Sequence, residues 1–203
     1  DTQCGYVLAL AFDILPPDVA KKAAERLVAN IKERGWHLST GFVGTRDLMH
    51  VLSKIGRDDV AFRLLHNKTF PSWGFEIENG ATTVWERWDG WTPEKGFQDA
   101  GMNSFAHYAY GAVMGWVFEN IGGIKALEPS FKKIAISPKI DPNLTHSSVS
   151  YRSVRGDIVS NWRIEGGKLW VKVTVPANCT AKFTMPHQGG PIRSETKGKN
   201  NVF

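Results

Sequence analysis

The chain has 203 residues, 42% of them hydrophobic, and 25 lysines and arginines against 20 aspartates and glutamates, for a net charge of +5. That is enough apolar material for one sizeable core or two modest ones, while no run approaches the roughly 18 apolar residues of a membrane span, so a soluble protein with no membrane partner is expected. The cations are dispersed without any basic-aromatic motif, which argues against a nucleic-acid partner, and Cys4 and Cys179 fit no metal or redox spacing, which predicts two unpaired thiols, no metal and no cofactor.

The chain opens at Asp1 rather than Met and runs at once into an apolar periodic segment, so it reads as a piece of a longer protein. Gln3 to Leu15 is apolar nearly all round and is stopped by Pro16-Pro17, which predicts a buried helix. Asp18 to Arg34 places Ala20, Ala24, Leu27, Val28 and Ile31 on one stripe, with Gly35 as its stop, and completes a helical hairpin. Trp36 to Gly44 is a loop. Thr45 is the expected N-cap of a helix bearing Leu48, Val51, Leu52 and Ile55. Asp58 or Asp59 starts a further helix through Leu65, giving a second hairpin.

Thr69 to Gly101 reads as a long non-helical excursion, and segments of that kind in compact domains tend to be functional. Within it, Gly80 to Trp91 holds three of the eight tryptophans. The β-branched Thr82, Thr83 and Val84 favour an extended path. Alternation then puts Glu86 and Trp88 on one face and Trp85 and Arg87 on the other. A carboxylate beside an indole suits a sugar site, because the aromatic face stacks on the C–H face of a pyranose while the acid accepts a proton from hydroxyl or water. The same string also fits two buried anchors around a surface ion pair. Asp89, next to Gly90, reads first as a turn residue. Ser104 is the expected cap of a fifth helix, with Phe105, Tyr108, Ala109, Ala112, Val113, Trp116 and Val117 on one side and Gly122-Gly123 at its end.

After Glu128-Pro129 the period changes from helical to alternating. Phe131 to Ile136, Ser147 to Val154, Ile158 to Ile164, Leu169 to Val175 and Thr180 to Met185 predict five short strands, and their spacing predicts an antiparallel β-sandwich. The domain boundary is expected near residues 127 to 130, with 1–128 helical and 129–203 the sandwich, and His187 to Phe203 reads as a frayed tail. Trp116 and Trp162 are assigned to cores.

Four blocks carry a resemblance: Thr40-Gly41-Phe42-Val43-Gly44-Thr45, Phe70-Pro71-Ser72-Trp73-Gly74, Gly80-Ala81-Thr82-Thr83-Val84-Trp85-Glu86-Arg87-Trp88 and Ser104-Phe105-Ala106-His107-Tyr108-Ala109-Tyr110-Gly111. In this order they resemble bacterial α-L-rhamnosidases of glycoside hydrolase family 78, over residues 2 to about 185. The resemblance implies the C-terminal part of an (α/α)6 toroid followed by a β-sandwich, in an inverting hydrolase that acts on rhamnose-containing glycosides. It implies that Glu86 is the general base and that His107 binds a sugar hydroxyl. Of the indoles Trp73, Trp85 and Trp88, the last shares the Glu86 face and is the preferred stacking wall. Ala106 departs from the family's usual asparagine. The motif that carries the family's general acid is absent, so this chain alone is expected to be inactive and to depend on the remainder of its polypeptide. Helix faces left uncovered by a partial toroid predict self-association or reliance on that remainder. Two other readings stay open: a non-catalytic carbohydrate-binding or interaction module, in which Trp162 or Trp170 could stack on a sugar, and a different toroidal glycosidase.

Overall fold

Thr2 opens the first helix, its hydroxyl accepting from the Gly5 amide, and α1 runs Gln3–Ala11. The computed structural model describes residues 1–186; His187 to Phe203, read above as a tail, lie outside the described residues. α1 stops short of the expected Leu15 because Asp13 adopts a positive φ of 53°, a conformation that no right-handed helix accommodates. Pro17 starts α2 (Pro17–Glu33), and α1 packs against both α2 and the next helix, α3 (Phe42–Lys54). Leu27, Val28 and Ile31 of α2 and Leu48, Val51 and Leu52 of α3 are buried, as their spacing requires. α4 (Asp58–Leu65) packs back on α3.

α3 begins a turn before its expected cap. Thr45 is buried inside it, bonded at 2.8 Å to the Thr40 hydroxyl and donating to the Thr40 carbonyl. The preceding loop is pinned by buried Gln3, which donates to the His37 carbonyl at 3.0 Å and accepts from the Ser39 amide at 2.7 Å. Through this staple the loop delivers Thr40 to the candidate site.

Two helix expectations are corrected. The excursion after Thr69 is not wholly non-helical: α5 (Trp73–Glu78) forms there, capped by the Ser72 hydroxyl accepting from the Phe75 amide at 3.0 Å. Gly74 allows the approach, since a Cβ at that position would lie 2.2 Å from the Asn67 carbonyl oxygen. A short hairpin of β1 (Trp91–Thr92) and β2 (Gly96–Phe97) follows. The helix expected from Ser104 does not start there, because its backbone is engaged elsewhere. The Ser104 carbonyl accepts from the Glu86 amide at 2.8 Å, and the His107 amide donates to the Val84 carbonyl at 2.9 Å. Helical structure begins at Tyr110 with one 3₁₀ turn, continues as α6 (Val113–Trp116) and ends in a π turn, Val117–Ile121.

The chain divides into two compact units, Asp1–Met114 and a second beginning at Gly115. The second holds two three-stranded sheets. One contains β3 (Ile124–Ala126), β4 (Lys133–Ile136) and β8 (Thr180–Phe183), the other β5 (His146–Ser153), β6 (Gly156–Glu165) and β7 (Lys168–Thr174). β3 is an addition to the five expected strands and begins ahead of the boundary placed near 127 to 130. β5, β6 and β7 are antiparallel, and Gly166-Gly167, both at positive φ, turn β6 into β7. The all-antiparallel expectation is corrected for the other sheet, where β8 pairs with β4 in parallel and Ala181 lies opposite Ile134. The chain returns to β4 only after completing β5 to β7, and a crossover of that length permits a parallel partner.

Ile124, Ile134 and Ile136 of the mixed sheet and Ile158 of the antiparallel sheet share one buried cluster, with Val149 and Val173 packed against it. Trp116 and Trp162 are buried, and the Trp162 indole N–H donates to the Ile121 carbonyl at 2.9 Å. Trp170 is exposed instead, 5.4 Å from the Arg163 guanidinium. Cys4 and Cys179 are free thiols. No helix among the described residues is long and apolar enough to cross a membrane.

Candidate active site

The four sequence blocks, spread over residues 40 to 111, meet at Trp88 and Tyr110. The Trp88 ring stacks on Tyr110 with centroids 3.9 Å apart and planes 7° from parallel. Its indole N–H donates to the Thr40 carbonyl at 2.8 Å. Trp73 of α5 meets Trp88 edge-on at 5.3 Å and donates its own N–H to the Tyr110 carbonyl at 3.0 Å. Phe42, in the first turn of α3, meets Tyr110 edge-on at 5.8 Å. Each indole thus has a hydrogen-bond partner for its polar end and a ring for its apolar body, which fixes orientation as well as burial.

The loop that carries Glu86 is anchored on both sides. Trp85 is buried and packs edge-on against Phe105 at 5.3 Å. The backbone bonds from Glu86 to Ser104 and from His107 to Val84 tie this loop to the segment that carries His107. Glu86 itself is half-buried, and its carboxylate makes no side-chain hydrogen bond or ion pair among the described residues. Arg87 is not its partner. The guanidinium forks onto Asp89, with Nε and Nη2 each 3.0 Å from a carboxylate oxygen.

Alternation fails here in one respect. Arg87 and Trp88, expected on opposite faces, both line a depression of about 320 Å³ together with Phe70, Pro71, Asp89 and Tyr110. The reason is a turn: the Gly90 amide donates back to the Arg87 carbonyl at 3.0 Å and bends the strand path. The three indoles grouped as stacking candidates are also separated. Trp73 and Trp85 are buried and present no open ring face, whereas Trp88 is half-buried and borders the depression.

His107 is half-buried, its ring stacked at 4.5 Å on Phe42 and at 5.3 Å on Tyr108. Its Nδ1 accepts from the Ala109 amide at 3.2 Å. An N–H aimed at Nδ1 leaves the proton of the neutral ring on Nε2, so His107 presents a donor.

One carboxyl escaped the sequence reading. Glu76 on α5 is 3% exposed, and burial pushes its pKa up to about 8, an interaction with the Trp85 backbone N–H offsetting only part of the rise. Burial, and secondarily the charge of Glu76, pushes the Tyr110 hydroxyl up to about 12. The available signal was an acid between Phe75 and Ile77, at helical spacing from Trp73. No group of three or more His, Cys, Asp or Glu with metal-holding geometry occurs among the described residues.

The family described as bacterial alpha-L-rhamnosidase 6 hairpin glycosidase domain matches residues 1–121, and the bacterial alpha-L-rhamnosidase C-terminal domain matches residues 123–200. The chain belongs to the bacterial α-L-rhamnosidase family. An alpha-L-rhamnosidase of Streptomyces avermitilis is 45% identical over 92% of this chain, which covers 18% of that relative. One from Alteromonas sp. (strain LOR) is 44% identical over 98% of the chain and 22% of the relative. Among solved structures, the Streptomyces avermitilis alpha-L-rhamnosidase complexed with L-rhamnose superposes with a TM-score of 0.87 at 44% identity, covering 90% of this chain and 18% of that one. The Aspergillus terreus enzyme gives 0.87 at 36% identity, over 92% of this chain and 22% of its own. The chain therefore spans about a fifth of the length of these relatives.

Proposed function

We propose that the chain is the C-terminal part of an inverting glycoside hydrolase that releases terminal α-L-rhamnose from rhamnosides. The helical unit is the closing section of its catalytic barrel, and the two sheets are the sandwich domain that follows. Glu86 is the general base. Inversion requires an acid that protonates the leaving oxygen and, roughly 6.5–9.5 Å away across the ring, a carboxylate that deprotonates the attacking water. The observation that supports Glu86 in this role is its carboxylate, which has no ion-pair or side-chain hydrogen-bond partner among the described residues, on a loop tied by backbone bonds to the His107 segment. A base already committed to a cation would be a poor proton acceptor.

His107 donates from Nε2 to a sugar hydroxyl, and Trp88 provides the apolar wall, backed by Tyr110 and Trp73. Trp85 contributes by anchoring the loop. The similarity to a rhamnosidase solved with L-rhamnose supports the substrate class. The acid comes from the remainder of the parent polypeptide, so the chain by itself is expected to be inactive.

The test is Glu86→Gln in the parent enzyme, assayed on an aryl α-L-rhamnoside. Loss of the base should lower kcat by about 10²–10⁴-fold, with rhamnose binding retained by calorimetry. Turnover at the parental rate rejects the assignment.

A further inference from the structure

We propose that the outer face of the β5–β7 sheet binds an acidic polysaccharide: Trp170 stacks on a sugar ring while Arg163, Lys168 and Lys172 hold the carboxylates of its uronic acids. This surface goes beyond the Glu86 site and does not depend on it. The three strands alternate. Val149, Ile158 and Val173 pack into the isoleucine core and Trp162 is buried, whereas Ser148, Arg163, Lys168, Trp170 and Lys172 are exposed on the opposite face.

Trp170 is 51% exposed, so its indole forgoes the burial that Trp162 on the neighbouring strand obtains. Its surroundings fit a sugar. The register sets Trp170 opposite Arg163 and Lys172 opposite Asn161, so the open ring is bordered by hydrogen-bonding groups on one sheet face. The Arg163 guanidinium lies 5.4 Å from the ring centre. The Asn161 side-chain oxygen accepts from the Ser148 hydroxyl at 3.0 Å, which leaves its amide NH2 as a donor.

Charge selects the class of saccharide. Lys168 and Lys172 make no ion pair among the described residues. Residues 115–186 carry ten lysines and arginines against five aspartates and glutamates, while residues 1–114 carry twelve against fourteen. The excess of cations thus belongs to the unit that holds this sheet. A neutral chain would leave those cations unused. A uronic-acid chain uses both features, its carboxylates on the cations and its ring C–H face on the indole.

Affinity electrophoresis of the parent enzyme in gels with and without polygalacturonate tests this. The polysaccharide should retard the enzyme, less so as salt is added, and dextran should not. Trp170→Ala should raise the dissociation constant about tenfold, as loss of a central aromatic does. The double variant Lys168→Glu, Lys172→Glu should abolish retardation. Both should turn over an aryl α-L-rhamnoside at the parental rate, and Glu86→Gln should be retarded like the parent, so the two sites stand or fall separately. An unretarded parent, or unchanged retardation of Trp170→Ala, overturns the proposal. So does equal retardation by dextran, or by single-stranded DNA with the same dependence on Trp170. A Trp170→Ala enzyme that unfolds several degrees earlier would place the ring in a contact inside the parent polypeptide, and overturns it too.

Discussion

Burial raises the carboxyl of Glu76 from the ordinary 4.5 to about 8. Between those values the unfolded chain has released this proton and the folded chain still holds it, so the group opposes folding more strongly as pH climbs through the window, and no further above it. Glu76→Gln carries no such proton. Its stability advantage over the parent should therefore grow from about pH 5 to pH 8 and then level off, which urea titrations at a series of pH values would measure; parallel curves for the two proteins would refute the burial argument. The same residue shows where single-position reading stops. That Glu86 lies between aromatics is visible in the string of letters, whereas the depth of Glu76 depends on Trp85 and Tyr110 arriving from other segments.

Among the elements, α5 depends most on one side chain being absent. A Cβ on Gly74 would sit 2.2 Å from the Asn67 carbonyl oxygen, a backbone atom that cannot swing aside. Gly to Ala inside a helix ordinarily stabilises by about 0.5–1 kcal/mol, so the sign discriminates. Gly74→Ala should instead cost about 1–3 kcal/mol, as overpacking does, and lower the midpoint of thermal unfolding followed by circular dichroism. The longer helices were legible because their apolar stripes repeat over several turns and end at Pro or Gly. α5, with six residues, is too short for periodicity to reveal. The helix expected from Ser104 had the right stripe but lost to backbone pairing with Val84 and Glu86, partners some twenty residues earlier in the chain. The β5–β7 meander followed from alternation and Gly166-Gly167, but nothing local announces that β8 lies parallel to β4. For the site, the four blocks were readable as motifs; that they meet on one stacked pair of rings was not.

At the scale of the molecule, the residues proposed for chemistry all lie in the unit that ends at Met114, and the isoleucine cluster lies in the other. Ile136 is fully buried in that cluster. Ile136→Ala should destabilise the protein by about 2–5 kcal/mol while leaving the turnover of correctly folded parent enzyme unchanged, as active-site titration alongside denaturant unfolding would establish. A loss of kcat per active site would mean that the sheets contribute to the chemistry. The parallel pairing of β4 with β8 also bears on biosynthesis. On the ribosome, β3 and β4 emerge before the β5–β7 meander, and the neighbour that covers the second edge of β4 is translated only after it. Until then the nascent chain displays an open strand edge beside Ile134 and Ile136, a natural place for a chaperone to attend and for a stalled or prematurely terminated product to aggregate.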